Sequence, residues 1–199
     1  MEPQPVTLQG RVVRLEPLSL EHLPGLCAVG WEEDLWKWTQ GRVTTPEAME
    51  AYIKAALNDQ KAGRALPFAT LDRTTGQVVG STRFLNLDPA NRRAEIGATW
   101  LGSAWQRTAF NTEAKYLMLR HAFEVWKCIR VELKTDALNQ RSRTAILRLG
   151  AQEEGTFRNH MITESGRIRH TVYYSIIDSE WPGVKTRLEE RLNAGMAQQ

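Results

Sequence analysis

The stretch AEIGATWLGSAWQRTAFNTEAKYLMLRHAF, residues 94–123, decides how this chain is read. Residues 93–101 read as a β-strand. After them Ala114, Leu117, Met118, His121 and Val125 recur at i, i+3, i+4, i+7 and i+11, the apolar stripe of an amphipathic helix. The corner between the two is rich in hydrogen-bond donors and holds no glycine from Ser103 onward. A strand-to-helix corner presents the first N–H groups of the helix, unpaired, at the positive end of its dipole. That is an anion site in outline, and residues 106–112 form it. Every helix has such an end, so the corner alone does not name its ligand.

Working outward, residues 11–18 alternate and are β-branched, as a strand requires, and Ser19 caps a helix that follows. Trp31, Leu35 and Trp38 recur at helical spacing, which directs Trp31 and Trp38 to a core and leaves Trp36 off the stripe to line a pocket or a partner surface. Thr45 and Pro46 have the chemistry of an N-cap and first helical residue, for a helix ending near Gly63. Residues 65–72 and 77–87 read as strands joined by a turn through Thr74, Thr75 and Gly76. Residues 127–136 read as a strand. Asn139 caps a short helix that stops at Gly150. Residues 151–162 and 167–177 form a closing hairpin, and residues 180–192 a final helix, with 193–199 a loose tail. Helices alternate with strands, so the expectation is one α/β domain over 1–199 with a mixed sheet.

Composition narrows the function by exclusion. The chain has 199 residues, 42% hydrophobic and 25% charged, with no apolar run near a membrane span and no basic-then-apolar leader at its start. Cys27 and Cys128 stand far apart, which suits a reducing cytoplasm and neither a disulfide framework nor a cysteine metal site. The four histidines form no HxH or HxxxH pair, so no metal centre is expected. P-loop, dinucleotide-binding and nucleophile-elbow motifs are all missing. A net charge of +3 is weak for a nucleic-acid partner, although 19 arginines against 7 lysines favour forked binding of phosphate or carboxylate. Arg158, Arg167 and Arg169 gather on the closing hairpin, as a solvated basic edge or a seat for an acidic peptide.

Residues 94–123, followed by CIRVELKTDALNQRSRTAILRLGA (128–151), resemble the GNAT acyl-CoA-dependent N-acetyltransferases, and most closely the branch similar to the RimJ/RimL ribosomal-protein N-terminal acetyltransferases. The resemblance covers nearly the whole chain. It implies a GNAT fold, an α/β architecture with a mixed central sheet of about seven strands flanked by helices. It implies acetyl-CoA as co-substrate, with a pyrophosphate loop of pattern [QR]-x-x-G-x-[GA] formed here by Gln106, Arg107, Thr108, Ala109, Phe110 and Asn111, and with Thr112 beside it. Ala109 and Asn111 depart from that pattern. If the chain is already helical at 109, φ is negative and alanine fits; if not, the cost is about 1 kcal/mol. Main-chain N–H groups on the strand before the loop, around Thr99, Trp100 and Leu101, would polarise a carbonyl, with Trp100 and Leu101 the expected donors.

By the same resemblance Glu95, eleven residues before Gln106, is the candidate general base, with His170 and Glu113 weaker ones. Strand alternation puts Glu95, Gly97 and Thr99 on one face. Asn139 and Ser142 reproduce the family's N-x-x-S, where asparagine meets the pantetheine arm and serine lies near the sulfur, as proton donor. Ser142, Ala145, Ile146 and Leu149 share one helix stripe. The implied activity is transfer of an acetyl group to a primary amine, with the N-terminal α-amine of a protein such as a ribosomal protein among the acceptors. An acyl-CoA-binding sensor without turnover, and a nucleic-acid-binding protein, stay as rival readings. A homodimer through the hairpin or last helix is compatible with the sequence.

Overall fold

The computed structural model describes residues 1–39 and 41–196. Eight strands form one sheet in the order β1-β2-β3-β4-β5-β6-β8-β7. They are β1 (Leu8–Gln9), β2 (Val13–Pro17), β3 (Leu66–Asp72), β4 (Val78–Asp88), β5 (Arg93–Leu101), β6 (Arg130–Asp136), β7 (Gln152–Ile162) and β8 (Ile168–Ile177). The helices are α1 (Leu23–Val29), α2 (Glu33–Trp36), α3 (Pro46–Lys61), α4 (Ala109–Arg120), α5 (Gln140–Leu149) and α6 (Trp181–Met196). The count of eight exceeds the expected seven because β1, only two residues long, pairs with β2. Every neighbouring pair is antiparallel except β5 with β6. A parallel pair needs a crossover, and α4 supplies it.

Local chemistry explains most boundaries. The Thr45 side chain accepts from the Ala48 N–H, with Pro46 in the first turn of α3. The Asn139 side chain accepts from the Ser142 N–H, and Gly150 closes α5 at φ 96°. Two expected boundaries move. β6 starts at Arg130 rather than 127, because Lys127 takes φ 55° and the Cys128 N–H still bonds to the Ala122 carbonyl of the preceding helical turn. α6 continues to Met196, so residues 193–196, expected to begin a loose tail, are helical; 197–199 lie outside the described residues.

The sheet has two differently covered faces. Ala94 and Ile96 of β5, Val131 and Leu133 of β6, and Val172, Tyr174 and Ile176 of β8 share one core with Leu117 and Met118 of α4 and Val184 and Leu188 of α6. On the other face α1 and α3 cover Ala69, Leu71 and Trp100 with Leu26, Met49 and Ile53. This second core stops at β5. Beyond it β6 and β8 carry a polar face.

Glu113 of α4 ties the helix to the sheet edge. Its carboxylate accepts from the N–H groups of Arg11, Val12 and Val13, each at 2.8 Å, and Gly10 leaves the room, since a Cβ there would lie 2.4 Å from Glu113 Cδ. The carboxylate, 4% exposed, is therefore a structural anchor and not a base. Truncation in Glu113→Ala orphans three backbone donors and is expected to lower the unfolding free energy by about 3 kcal/mol, as read by denaturant titration.

Candidate active site

The site begins where β5 leaves β6. Their parallel ladder runs Arg93↔Arg130, Ala94↔Val131 and Glu95↔Glu132, and the register goes no further. β5 itself changes course at Ala98, whose φ is 46°. On the β4 side the register shifts there, from Arg83↔Gly97 to Ser81↔Trp100, which makes a β-bulge. The bulge flips every side chain beyond it. Thr99, expected beside Glu95 and Gly97, instead faces α4, where its Oγ1 lies 2.7 Å from Thr82 Oγ1 and accepts from Lys115 Nζ. Trp100 turns to the α3 side, 5.2 Å from the ring of Trp36, and donates through Nε1 to the Tyr52 hydroxyl.

Beyond the bulge the backbone of β5 faces a gap. The Gly102 N–H bonds to the Val79 carbonyl at 2.9 Å, and Ser81 and Trp100 are partners. Antiparallel alternation then sends the Trp100 N–H to β4 and directs that of Leu101 away from it, into the β6 side. Of the two donors expected from sequence, Leu101 has this orientation.

The corner closes the gap at one end. Gln106 bridges it: its Nε2 donates to the Leu101 carbonyl at 2.7 Å, and its Oε1 accepts from Arg141 at the start of α5. Arg107 follows at φ 64°, and Thr108 caps α4 by accepting from the Phe110 N–H while its Oγ1 donates to the Trp105 carbonyl at 2.6 Å. Ala109 is the first residue of α4. The missing glycine thus has no conformational cost, because the left-handed residue of this loop is 107. Phe110, Asn111 and Thr112 complete the first turn, with their N–H groups at the positive end of the helix. Arg107 and the exposed Arg141 add two cations. Arg141 was not singled out from the sequence; its place directly after the N-cap of α5 is the signal that could have found it.

The polar face holds the titratable candidates. Glu95 is 1% exposed, and its Oε2 receives Asn86 Nδ2 at 2.8 Å and pairs with Lys134 Nζ at 3.0 Å. Its Oε1 leans over Gly97, 3.0 Å from where a Cβ would be, and no hydrogen bond to it is recorded among the described residues. Ser142 is half-buried at the N-terminal turn of α5, its hydroxyl without a protein partner among the described residues. The amide oxygen of Asn139 is spent on the cap. His170 is exposed and accepts from the Asn159 N–H at 2.9 Å, which fixes an irregular stretch of the β7–β8 hairpin.

Three readings of aromatic and basic residues change. α2 is a single turn, so helical spacing does not carry from Trp31 to Trp38. Trp36 is the buried one, donating to the Gly30 carbonyl at 2.7 Å, while Trp31 is exposed. Arg167 and Arg169 are no solvated edge. Arg167 pairs with the buried Asp136 at 2.5 Å and lies over the ring of Trp38, and Arg169 is 7% exposed. Burial pulls Arg169 below its ordinary pKa, against the opposing field of Asp136. Both cysteines are free, and burial pushes the Cys128 thiol up to about 11, a poor nucleophile.

Among the described residues no group of three metal-ligating side chains is present, and no helix is long and apolar enough to cross a membrane. Residues 13–152 match the model of the acetyltransferase (GNAT) domain. YdaF of Bacillus subtilis (strain 168), which carries the provisional name of ribosomal N-acetyltransferase, is 34% identical over 86% of this chain and 92% of its own. The crystal structure of a GCN5-related N-acetyltransferase from Brucella melitensis superposes with a TM-score of 0.89 at 34% identity, covering 96% of this chain and 86% of that one. Mycobacterium smegmatis RimJ, crystallised with CoA-disulfide, shares the fold at 23% identity, with a TM-score of 0.80 over 94% of this chain and 95% of that one. The chain belongs to the GNAT acetyltransferase family and is an N-acetyltransferase of the GNAT type. Members of this family take the acetyl group from acetyl-CoA.

Two predictions follow from the geometry around α4. Because Ala109 is already helical, Ala109→Gly is expected to leave acetyl-CoA affinity within about twofold of wild type, since glycine adds freedom without relieving strain; calorimetric titration checks this. Lys115 is buried, with its Nζ 3.1 Å from Thr82 Oγ1, and burial lowers its pKa to about 7. The unfolded chain holds this proton up to its ordinary value of 10.5, so between about 7 and 10.5 unfolding takes up a proton and stability rises with pH. Melting temperature should therefore climb less steeply over that range in Lys115→Met than in wild type.

Proposed function

We propose that this enzyme acetylates a primary amine presented on the Glu95 side of the sheet, with the N-terminal α-amine of a protein as the acceptor type. The observation that carries the reading is the divergence of β5 from β6 beyond Glu95, directly beside the N-terminus of α4. The residues fit the family's co-substrate. A helix N-terminus with Arg107 and Arg141 suits a diphosphate. The gap beside Leu101 suits an extended arm, with Gln106 closing its end and the side-chain amide of Asn139, whose Nδ2 is free of the cap, near the arm. Thr99 and Trp100 act here through the backbone shape they share with Ala98 rather than by side-chain contact. Acetyl-CoA supplies the acetyl group as an activated thioester.

The chain's own groups divide the remaining tasks. The Leu101 N–H is a donor for a carbonyl oxygen, preorganised by the ladder. A primary amine is mostly protonated near neutrality, with a pKa of about 8 for an α-amine. Glu95 Oε1 takes that proton, directly or through a water, while Asn86 and Lys134 hold Oε2 in place. The Ser142 hydroxyl relays to the leaving sulfur a proton that the amine nitrogen gives up as the amide forms, and so regains the one it donates. The acceptor type is supported by the name that YdaF carries.

Transfer from labelled acetyl-CoA to a panel of peptides and small amines tests the reading. In Glu95→Gln, kcat/KM is expected to fall about 100-fold with the affinity for CoA unchanged. Ser142→Ala should cost less, because a thiol of pKa about 8.5 leaves without much help. Equal rates in Glu95→Gln and wild type would remove Glu95 from the chemistry. Tight CoA binding with no transfer to any amine would instead favour a sensor.

A further inference from the structure

The polar face holds two buried cations that form no ion pair among the described residues, Arg83 and Arg169. Each carboxylate on the strands there is taken: Glu95 by Lys134 at 3.0 Å, Asp136 by Arg167 at 2.5 Å, and Glu132 by Arg130 at 2.8 Å. Arg83 of β4 is left over. It is 7% exposed, its Nε is enclosed with no hydrogen-bond partner, and it makes no ion pair among the described residues. Among the described residues its guanidinium meets the face of Tyr52, 4.7 Å from guanidinium carbon to ring centroid. A buried cation without a counter-charge is costly, and an anionic ligand would relieve that cost.

Position says which ligand. Arg83 stands opposite Gly97, which has no side chain to answer it, and the next residue is the bulge at Ala98. Tyr52, stacked on Arg83, reaches the Ala98 carbonyl with its hydroxyl at 3.5 Å. Glu95 lies on the same face two residues away on β5, the diagonal neighbour of Arg83 across the ladder, at about 7–8 Å. The face thus offers a carboxylate oxygen and an unanswered guanidinium side by side, the complement of a molecule with an amine at one end and an anion close to it. Farther out Arg169, also 7% exposed and without an ion pair among the described residues, keeps the field positive.

Resting on the acetyl-transfer reading above, we propose that Arg83 binds a carboxylate of the acceptor, so that the preferred acceptors carry a carboxylate close to the amine that is acetylated. The carboxylate comes either from a free amino acid or from an acidic side chain at a peptide N-terminus. Arginine's planar fork suits either source.

Matched acceptor pairs that differ only in that carboxylate provide the test. One arm compares free alanine, serine and glutamate with their α-carboxamides. The other compares tripeptide amides beginning Asp or Glu with those beginning Asn or Gln. Each pair is measured twice, by kcat/KM and by calorimetric binding to enzyme saturated with CoA. The carboxylate member is expected to win at least about tenfold in one arm, the value of a charge-assisted hydrogen bond, and the winning arm identifies the source. Arg83→Met should abolish the preference, leave CoA affinity unchanged and leave the melting temperature equal or higher. If Arg83→Met does not fold, Arg83→Lys, which keeps the charge and loses the fork, should retain only part of the preference. Absence of any preference in the wild type, or its survival in Arg83→Met, overturns the proposal. A carboxylate preference in binding without any transfer leaves the proposal standing and removes the acetyl-transfer reading; transfer without preference does the reverse.

Discussion

At Ala98 the backbone of β5 enters the left-handed region, at φ 46°, and the strand beyond it stays with β4 while losing β6. A non-glycine residue there costs on the order of 1 kcal/mol or more, so the surroundings must hold it. They do so from both sides. On one face Lys115 of α4 and Thr82 of the neighbouring strand β4 grip Thr99, while on the other Tyr52 and Trp36 hold Trp100. The bulge turns a continuous sheet into a cleft, aims the Leu101 N–H into it, and puts Glu95 and Arg83 at its rim.

The same helix anchors the fold and presents its N-terminus to the proposed cofactor site. α4 crosses between the two parallel strands, and its N-terminus ends the cleft. Two buried charged-type side chains fix it in opposite directions. Glu113 reaches out to the β1–β2 corner and satisfies three main-chain donors, whereas Lys115 reaches under the bulge to the hydroxyls of Thr82 and Thr99. The first contact holds the helix to the sheet edge. The second is favourable only when the amine is neutral, which couples the bulge to pH between about 7 and 10.5.

Much of this was legible in the sequence because it rests on local chemistry. The caps at Thr45 and Asn139, the stop at Gly150, the strand 93–101 and the helix after it follow from residue type and period alone. Where the reading failed, a tertiary event had broken the period. The assignment of Thr99 to the Glu95 face assumed an unbroken alternation, and the bulge reversed it; small residues at 97 and 98 between Ile96 and Trp100 were the only hint. Trp36 was set outside the core because a helical wheel was drawn through a segment with one helical turn. Glycine was sought at 109, but the left-handed position of the loop is Arg107. Arg83 was invisible for another reason: a lone arginine in a strand looks like any edge residue until its partners are counted in three dimensions.

A crystal structure of this protein grown with acetyl-CoA tests the central claim most directly. The account predicts the diphosphate on the N–H groups of the first turn of α4, within reach of Arg107, and the acyl arm in the gap between β5 and β6 beside Leu101. A ligand bound elsewhere, or a gap that stays empty at millimolar acetyl-CoA, would contradict it.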